Sequence, residues 1–166
     1  MKRDQWEGGH RVPFIARWPG RIEAGSESEQ TICQTDIMVT CAVILGYDLS
    51  EDSAEDSFDL LPILLGKDDG EAIRPYTLHQ TNRLALAIRR GPWKYLDHQG
   101  SGGNNYEQER LLPFASPDSE PEAPAQLYNL DTDPGETKNL YFERPELVKE
   151  LKDLLEESKR SGRSRG

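Results

Sequence analysis

The sequence is poor in apolar residues and holds no apolar run long enough to cross a membrane. Only 35% of its 166 residues are hydrophobic. The longest apolar stretch, 38–45, falls well short of the roughly 20 residues of a spanning helix, and Thr40 interrupts it. The first residues are basic, but no apolar segment follows them, so we expect neither a signal peptide nor a membrane span in this chain. A secreted parent stays open, because a signal would be lost together with a missing N-terminal half.

Cysteine is also scarce, and acidic residues outnumber basic ones. Cys33 and Cys41 form no CxxC motif and no Cys/His cluster with metal-binding spacing, so we expect small core residues of a helical segment rather than a metal site. Thirty acidic residues oppose twenty basic ones, which gives a formal net charge of −10. Because phosphate neutralisation requires a basic surface, this balance disfavours nucleic acid as a partner.

Local patterns predict an α+β fold. The largely apolar run 12–18 is typical of a strand buried on both faces, which would belong to a larger sheet than this chain contains. One helix should start at Thr35 or Asp36 and end before Gly46, and a short helical turn should precede Gly66. A final helix from Pro145 carries an apolar stripe at helical spacing, which we expect to pack on a small sheet. The strands of that sheet are predicted at 76–79, 84–89, 93–97 and 126–130, the middle pair joined as a hairpin.

Several segments, in order, resemble the C-terminal third of the arylsulfatase-type sulfatases. Residues 2–13, KRDQWEGGHRVP, resemble the signature K-x-x-x-x-E-G-G-x-R-V-P, and 18–22 continue it. Further matches follow at 36–40, 57–66, 87–95 and 127–140, the last including L-Y-N-L and D-P-G-E. Val39 stands where the family usually has proline, which should affect only how its helix begins. An ordered set of matches along nearly the whole chain is far more specific than any one motif.

The resemblance implies an α/β parent fold of the alkaline-phosphatase-like type. Residues 1–70 would be the C-terminal end of the catalytic domain, and 71–166 a small subdomain with an antiparallel sheet and a terminal helix. The family enzymes hydrolyse aryl or carbohydrate sulfates with a formylglycine nucleophile and calcium, and they are commonly periplasmic, secreted or lysosomal. Their nucleophile motif C/S-x-P-S/A-R does not occur here, and their calcium ligands lie upstream of the matched region. We therefore expect this chain to be inactive alone, with no catalytic nucleophile and no calcium site.

Three residues are candidates for contact with substrate. Lys2 lies five residues before Glu7 and matches the family lysine that reaches the sulfate group, a role that suits a compact ammonium. His79 stands where a histidine often lines the family's substrate pocket, and His10 flanks the entrance of the first predicted strand. Each has a simpler interpretation, as an exposed lysine near a terminus or as a polar residue that packs without binding anything.

Other polar residues of these motifs have structural interpretations. We expect Arg11 to brace its loop by pairing with Glu7, and the two glycines 8–9 to permit a tight backbone path. Lys94 is predicted to be an exposed neighbour of a packing tryptophan. The polar residues 104–106 could form the rim of a pocket.

Two alternatives to a sulfatase part remain open at this level. The first is a non-catalytic module that folds on its own and binds a partner or glycan. It should have polar residues along 12–18, because an orphaned apolar strand promotes aggregation. The second keeps the superfamily and changes the ester to a phosphonate or phosphate.

Overall fold

The structure, a computed structural model, describes residues 1–50 and 52–165. Its helices are α1 (Glu7–His10), α2 (Asp36–Leu45), α3 (Leu61–Leu64) and α4 (Pro145–Ser161), with a 3-10 turn at Leu112–Phe114. Its strands are β1 (Thr77–Gln80), β2 (Leu86–Arg90), β3 (Trp93–Leu96) and β4 (Gln126–Asn129). None of the helices in these ranges has the length and apolar character needed to cross a membrane.

The described residues form two compact units. One contains 1–12 and 78–160, and the other contains 13–77 and the residues from 161 onward. The N-terminal motif therefore belongs to the same unit as most of the small sheet. The division predicted from the sequence, 1–70 and 71–166, stays a prediction.

The sheet has the strand order β1-β2-β3-β4, and all four strands lie within two residues of the predicted segments. β2 and β3 form an antiparallel hairpin that pairs Arg90 with Trp93, and Gly91 takes a φ of +55° in its two-residue loop. Glycine suits this position because a side chain rarely adopts a positive φ. β3 then pairs antiparallel with β4, so the predicted small sheet and its hairpin are confirmed.

Alternation along the strands gives the sheet two different faces. One face presents Ala87, Leu96 and Tyr128, on which Trp6 packs. On the other face Ile88, Tyr95 and Leu127 are buried. Helix α4 packs on that second face, since Arg90 Nη2 lies 2.7 Å from Glu150 Oε1 on the helix. The helix residues Val148, Leu151 and Leu155 are buried. The prediction that the last helix packs on the small sheet is confirmed.

In the second unit, a buried carboxylate organises the start of α2. Asp36 accepts the backbone N–H groups of Cys33 at 2.7 Å and Phe58 at 2.9 Å, and it forms an ion pair with Arg74. Gly46, with a φ of +64°, ends the helix as predicted. Asp36 therefore joins three segments of this unit through one side chain.

Two predictions that fall mainly in this unit were wrong. The run 12–18 forms no strand, and the side chain of Ile15 is 90% exposed. An apolar strand is buried only when neighbouring strands cover it, and the described residues provide no such neighbour. The cysteines are not core residues either, because Cys41 is exposed on α2 and Cys33 lies half-buried before that helix.

Candidate functional site

A buried cluster of charges joins the N-terminal motif to the sheet. The ammonium of Lys94, on β3, lies 3.0 Å from Glu7 Oε1 and 2.8 Å from Glu136 Oε1. The Lys94 side chain is 0% exposed. Arg89, its cross-strand partner, approaches Glu7 Oε2 to 3.6 Å. Buried charges are tolerated when they are paired, and here two basic side chains face two carboxylates.

Local backbone geometry aims Glu136 into this cluster. Asp133 Oδ2 accepts the backbone N–H groups of Thr137 and Lys138, which closes the turn around D-P-G-E. Glu136 takes a φ of +54°, a conformation that a residue with a side chain adopts only at a cost. Its Oε2 accepts the backbone N–H of Glu7 at 2.5 Å. The turn thus fixes the side chain of Glu136, and that side chain holds the backbone of Glu7 at the start of α1.

Close backbone contact explains one of the two glycines that follow Glu7. A Cβ on Gly9 would lie 2.1 Å from the carbonyl oxygen of Asp4, whereas a Cβ on Gly8 would meet nothing within 4 Å. The tight path expected for the pair is therefore required at Gly9 alone. It keeps the four-residue helix against the segment that precedes it.

The structure brings together two of the three predicted substrate contacts. The rings of His10 and His79 stack with centroids 3.9 Å apart. His10 Nε2 lies 3.1 Å from both Lys94 Nζ and the carbonyl oxygen of Gln5, whose own side chain donates to His79 O at 3.0 Å. Lys2 is exposed, and its ammonium forms no ion pair within the described ranges. Substrate contact by Lys2, His10 and His79 stays a prediction.

Burial and charge set the protonation of this cluster. Burial acts to raise the pKa of Glu7, but Lys94, His10 and Arg89 outweigh it and hold that pKa below its ordinary value. For Glu136 burial prevails, and its pKa is raised despite Lys94. Burial, reinforced by Lys94, lowers the pKa of His10 and so favours the neutral imidazole. The cluster therefore holds a neutral histidine beside a paired lysine.

Two expectations about these residues were wrong, and one residue was missed. Lys94 is buried rather than exposed, because its side chain points to the sheet face that the N-terminal segment covers. Glu7 pairs with Lys94 and Arg89, while Arg11 is exposed. Glu136 went unnoticed inside a turn motif. Two basic residues opposite each other on adjacent strands were the available signal, since a buried pair of that kind needs carboxylates.

An open cleft of about 610 Å³ adjoins Trp6, the residue that precedes Glu7. It lies in the same unit as the charge cluster. Its lining includes 104–106, the residues suggested as a pocket rim. Trp6, Arg83, Glu107 and the glycine-rich stretch 100–103 form other parts of its wall. The cleft is bounded on a further side by Leu112, Ala115 and Ser116.

Comparison with known proteins relates this chain to enzymes of one kind. The N-acetylgalactosamine-6-O-sulfatase of Bacteroides thetaiotaomicron is 37% identical over 158 residues, 95% of this chain and 29% of that protein. Human arylsulfatase A is 33% identical over 162 residues, 92% of this chain and 31% of that protein. A structure solved in connection with the metabolism of multiple glycosaminoglycans by B. thetaiotaomicron superposes with a TM-score of 0.74 at 32% identity, over 96% of this chain and 31% of the other. No protein-family model matches the chain. The chain thus spans about 30% of the length of these curated relatives.

Proposed function

The chain belongs to the sulfatase family and matches the C-terminal part of its members, and we propose that it serves a sulfuric ester hydrolase that acts on aryl or carbohydrate sulfates. The observation that carries this proposal is the identity of 37% along 95% of the chain. Within the proposal, the chain supplies cationic and hydrogen-bonding groups that hold the sulfate group of the substrate. The nucleophile would come from another part of the enzyme, since the C/S-x-P-S/A-R motif is absent from this sequence.

The buried cluster supports this role because it immobilises the residue that ends α1. Glu7 begins the helix and His10 ends it, and the contacts of Lys94 and Glu136 hold Glu7 in place. With Nε2 accepting a hydrogen bond from Lys94, the neutral ring carries its proton on Nδ1, and a histidine fixed in this way can donate that N–H to a sulfuryl oxygen at little entropic cost. The stacked His79 restricts the same ring. Lys2 is exposed and has no ion-pair partner in the described ranges. Its flexible side chain would bring a positive charge to the sulfate group of the substrate.

Sulfatases require a metal ion, and we propose calcium for the whole enzyme. Among residues 1–50 and 52–165 there is no group of three or more His, Cys, Asp or Glu side chains that could hold an ion. Calcium prefers six to eight oxygen ligands, so these residues do not fit it. The ion's ligands would belong to the other part of the enzyme, and the proposed roles of Lys2, His10 and His79 do not depend on it.

Hydrolysis of an aryl sulfate tests the proposal. The 166-residue chain and a protein extended upstream through the reading frame, matured by a formylglycine-generating enzyme, would be incubated with 4-nitrophenyl sulfate and calcium. We expect turnover by the extended protein alone, and slower turnover of 4-nitrophenyl phosphate. Turnover by the short chain, or a preference for the phosphate ester, would contradict the proposal.

A further inference from the structure

The cleft beside Trp6 has a rigid aromatic wall. Trp6 packs against the buried residues Ala87, Leu96 and Tyr128, and its indole N–H already donates to Gln126 Oε1 at 3.1 Å. It therefore offers the cleft an apolar ring surface rather than a free donor. The ring of Tyr106 lies 6.1 Å away, and its hydroxyl donates to Asp4 Oδ2 at 2.5 Å. Neither ring needs to be ordered when a ligand binds, which lowers the entropic cost of stacking on them.

Backbone contacts fix the glycine-rich part of the cleft wall. A Cβ on Gly103 would lie 1.8 Å from the carbonyl oxygen of Arg3, and one on Gly102 would lie 2.6 Å from the ring of His98. The hydroxyl of Ser101 donates to Asn104 O and accepts the backbone N–H of Asn104 at 2.9 Å. Close packing leaves no room for a side chain at these two glycines, so this part of the wall is already formed before a ligand binds. A volume of about 610 Å³ also falls in the range of small-molecule sites.

Thr81 holds the turn that carries Arg83 against this wall. Its hydroxyl donates to Gly102 O at 2.8 Å and accepts the backbone N–H groups of Arg83 and Ala85 at 3.2 Å each. Leu84, in the same turn, takes a φ of +63°. A leucine in that conformation is strained, and such strain is concentrated at functional sites. The turn therefore places the Arg83 backbone at a fixed point of the cleft.

The charges in the cleft are of both signs. Arg83 is exposed, lines the cleft and forms no ion pair with residues 1–50 or 52–165. Its guanidinium presents parallel N–H donors that match a carboxylate or sulfate group. Glu107 and Asn105, also exposed at the cleft, can accept and donate hydrogen bonds to hydroxyl groups. This combination suits a hydroxyl-rich ligand with one anionic group.

We propose that this cleft binds one sugar unit of an anionic glycan. The sugar ring stacks on Trp6, and the carboxylate or sulfate group of that unit pairs with Arg83. The inference rests on the proposed function in one respect, that the substrate of the whole enzyme is a carbohydrate sulfate. The cleft would recognise a unit of the glycan chain and would not take part in the hydrolysis. Arg83 is thus a specificity-determining residue and not a catalytic one.

Calorimetric titration of the 166-residue chain tests the proposal without any turnover. The probes are a chondroitin 6-sulfate tetrasaccharide, the unsulfated chondroitin tetrasaccharide and neutral cellotetraose. We expect both acidic probes to bind at least about 10-fold more tightly than cellotetraose. Tighter binding of the sulfated probe would assign Arg83 to sulfate, and equal binding of the two would assign it to the uronate carboxylate.

Two variants separate the cleft from general charge. Arg83→Gln should weaken binding of the acidic probes about 10-fold, a factor that corresponds to about 1.4 kcal/mol. Arg110→Gln removes the same charge from an exposed residue outside the cleft and should leave binding unchanged. Equal losses in the two variants, an unchanged affinity in Arg83→Gln, or no binding of either acidic probe would overturn the proposal. The result is independent of the aryl sulfate assay, because a chain without a nucleophile can still bind a glycan.

Discussion

Replacing Lys94 with methionine keeps a long, buried side chain and removes its charge. In the native protein the ammonium is 0% exposed and lies within 3.0 Å of one oxygen on each of Glu7 and Glu136. Without it, two buried carboxylates face each other, and Arg89 at 3.6 Å from Glu7 is the nearest remaining cation recorded in the described ranges. Removing one partner of a buried ion pair typically costs about 3–5 kcal/mol. Because Arg89 compensates in part, we expect a loss of about 3 kcal/mol in the free energy of unfolding.

Urea unfolding followed by circular dichroism at pH 7 measures this loss. The matched control is Lys149→Met, which breaks a 2.6 Å ion pair with Asp153 on the surface of α4. Lys149 is 73% exposed, so solvent screens the pair and we expect its unfolding midpoint to stay close to that of the native protein. The comparison isolates burial, since both variants remove a lysine that has a close carboxylate partner.

The pH dependence provides a second check on the same variant. Loss of the ammonium should raise the pKa of both carboxylates in the folded state. A carboxyl group with a raised folded pKa gains stability as the pH falls, because the folded protein then binds more protons than the unfolded one. The deficit of Lys94→Met should therefore shrink between pH 7 and pH 5. A deficit below about 1 kcal/mol at pH 7, or one that grows on acidification, would refute the reasoning about this cluster.

Three further predictions concern the same unit. The pKa of His10 is lowered by burial and Lys94, so the folded protein binds fewer protons than the unfolded one just below about pH 6.5, and stability falls as the pH drops through that value. His10→Gln should lose less stability between pH 7.5 and 5.5 in urea titrations, and an equal loss would contradict this. Gly9→Ala would place a Cβ 2.1 Å from a carbonyl oxygen and should lower the melting temperature sharply. Gly8→Ala should leave the melting temperature unchanged or raise it, and equal effects of the two substitutions would exclude the close contact. Leu155→Ala removes a fully buried side chain of α4 and should cost about 2–5 kcal/mol in urea, while a loss within error would mean that α4 does not pack on the sheet.

The sequence was most informative where the structure depends on residues that are close together along the chain. The small sheet and helices α2 and α4 lie close to their predicted ranges, because alternation, helical spacing and terminal Gly or Pro act within a few residues. The run 12–18 was misjudged because burial depends on partners that no local pattern reveals. An apolar run predicts a preference for burial, and only the surrounding chain decides whether that preference is met.

The candidate site was recognised in part for a related reason. Lys94 and Glu7 are separated by 87 positions, and Glu136 lies 129 positions from Glu7, so no local spacing could connect the three. The resemblance to sulfatases supplied Lys2 and His79, and the motif itself drew attention to His10. The stacking of His10 on His79 follows from how the N-terminal segment covers the sheet, and that segment is held there by contacts distant in sequence.

The most direct test of the account is the rate of aryl sulfate hydrolysis by the upstream-extended, matured protein when Lys2 is replaced by methionine. Lys67→Met, at an exposed position after α3, is the matched control. If this chain supplies a cation to the sulfate group, Lys2→Met should lower kcat/KM by about 100-fold, comparable to removing one charge-stabilising donor from an active site, while the control stays at the native value. Equal rates for the two variants would contradict the assignment of Lys2, and absence of hydrolysis by the native extended protein would contradict the sulfatase function itself.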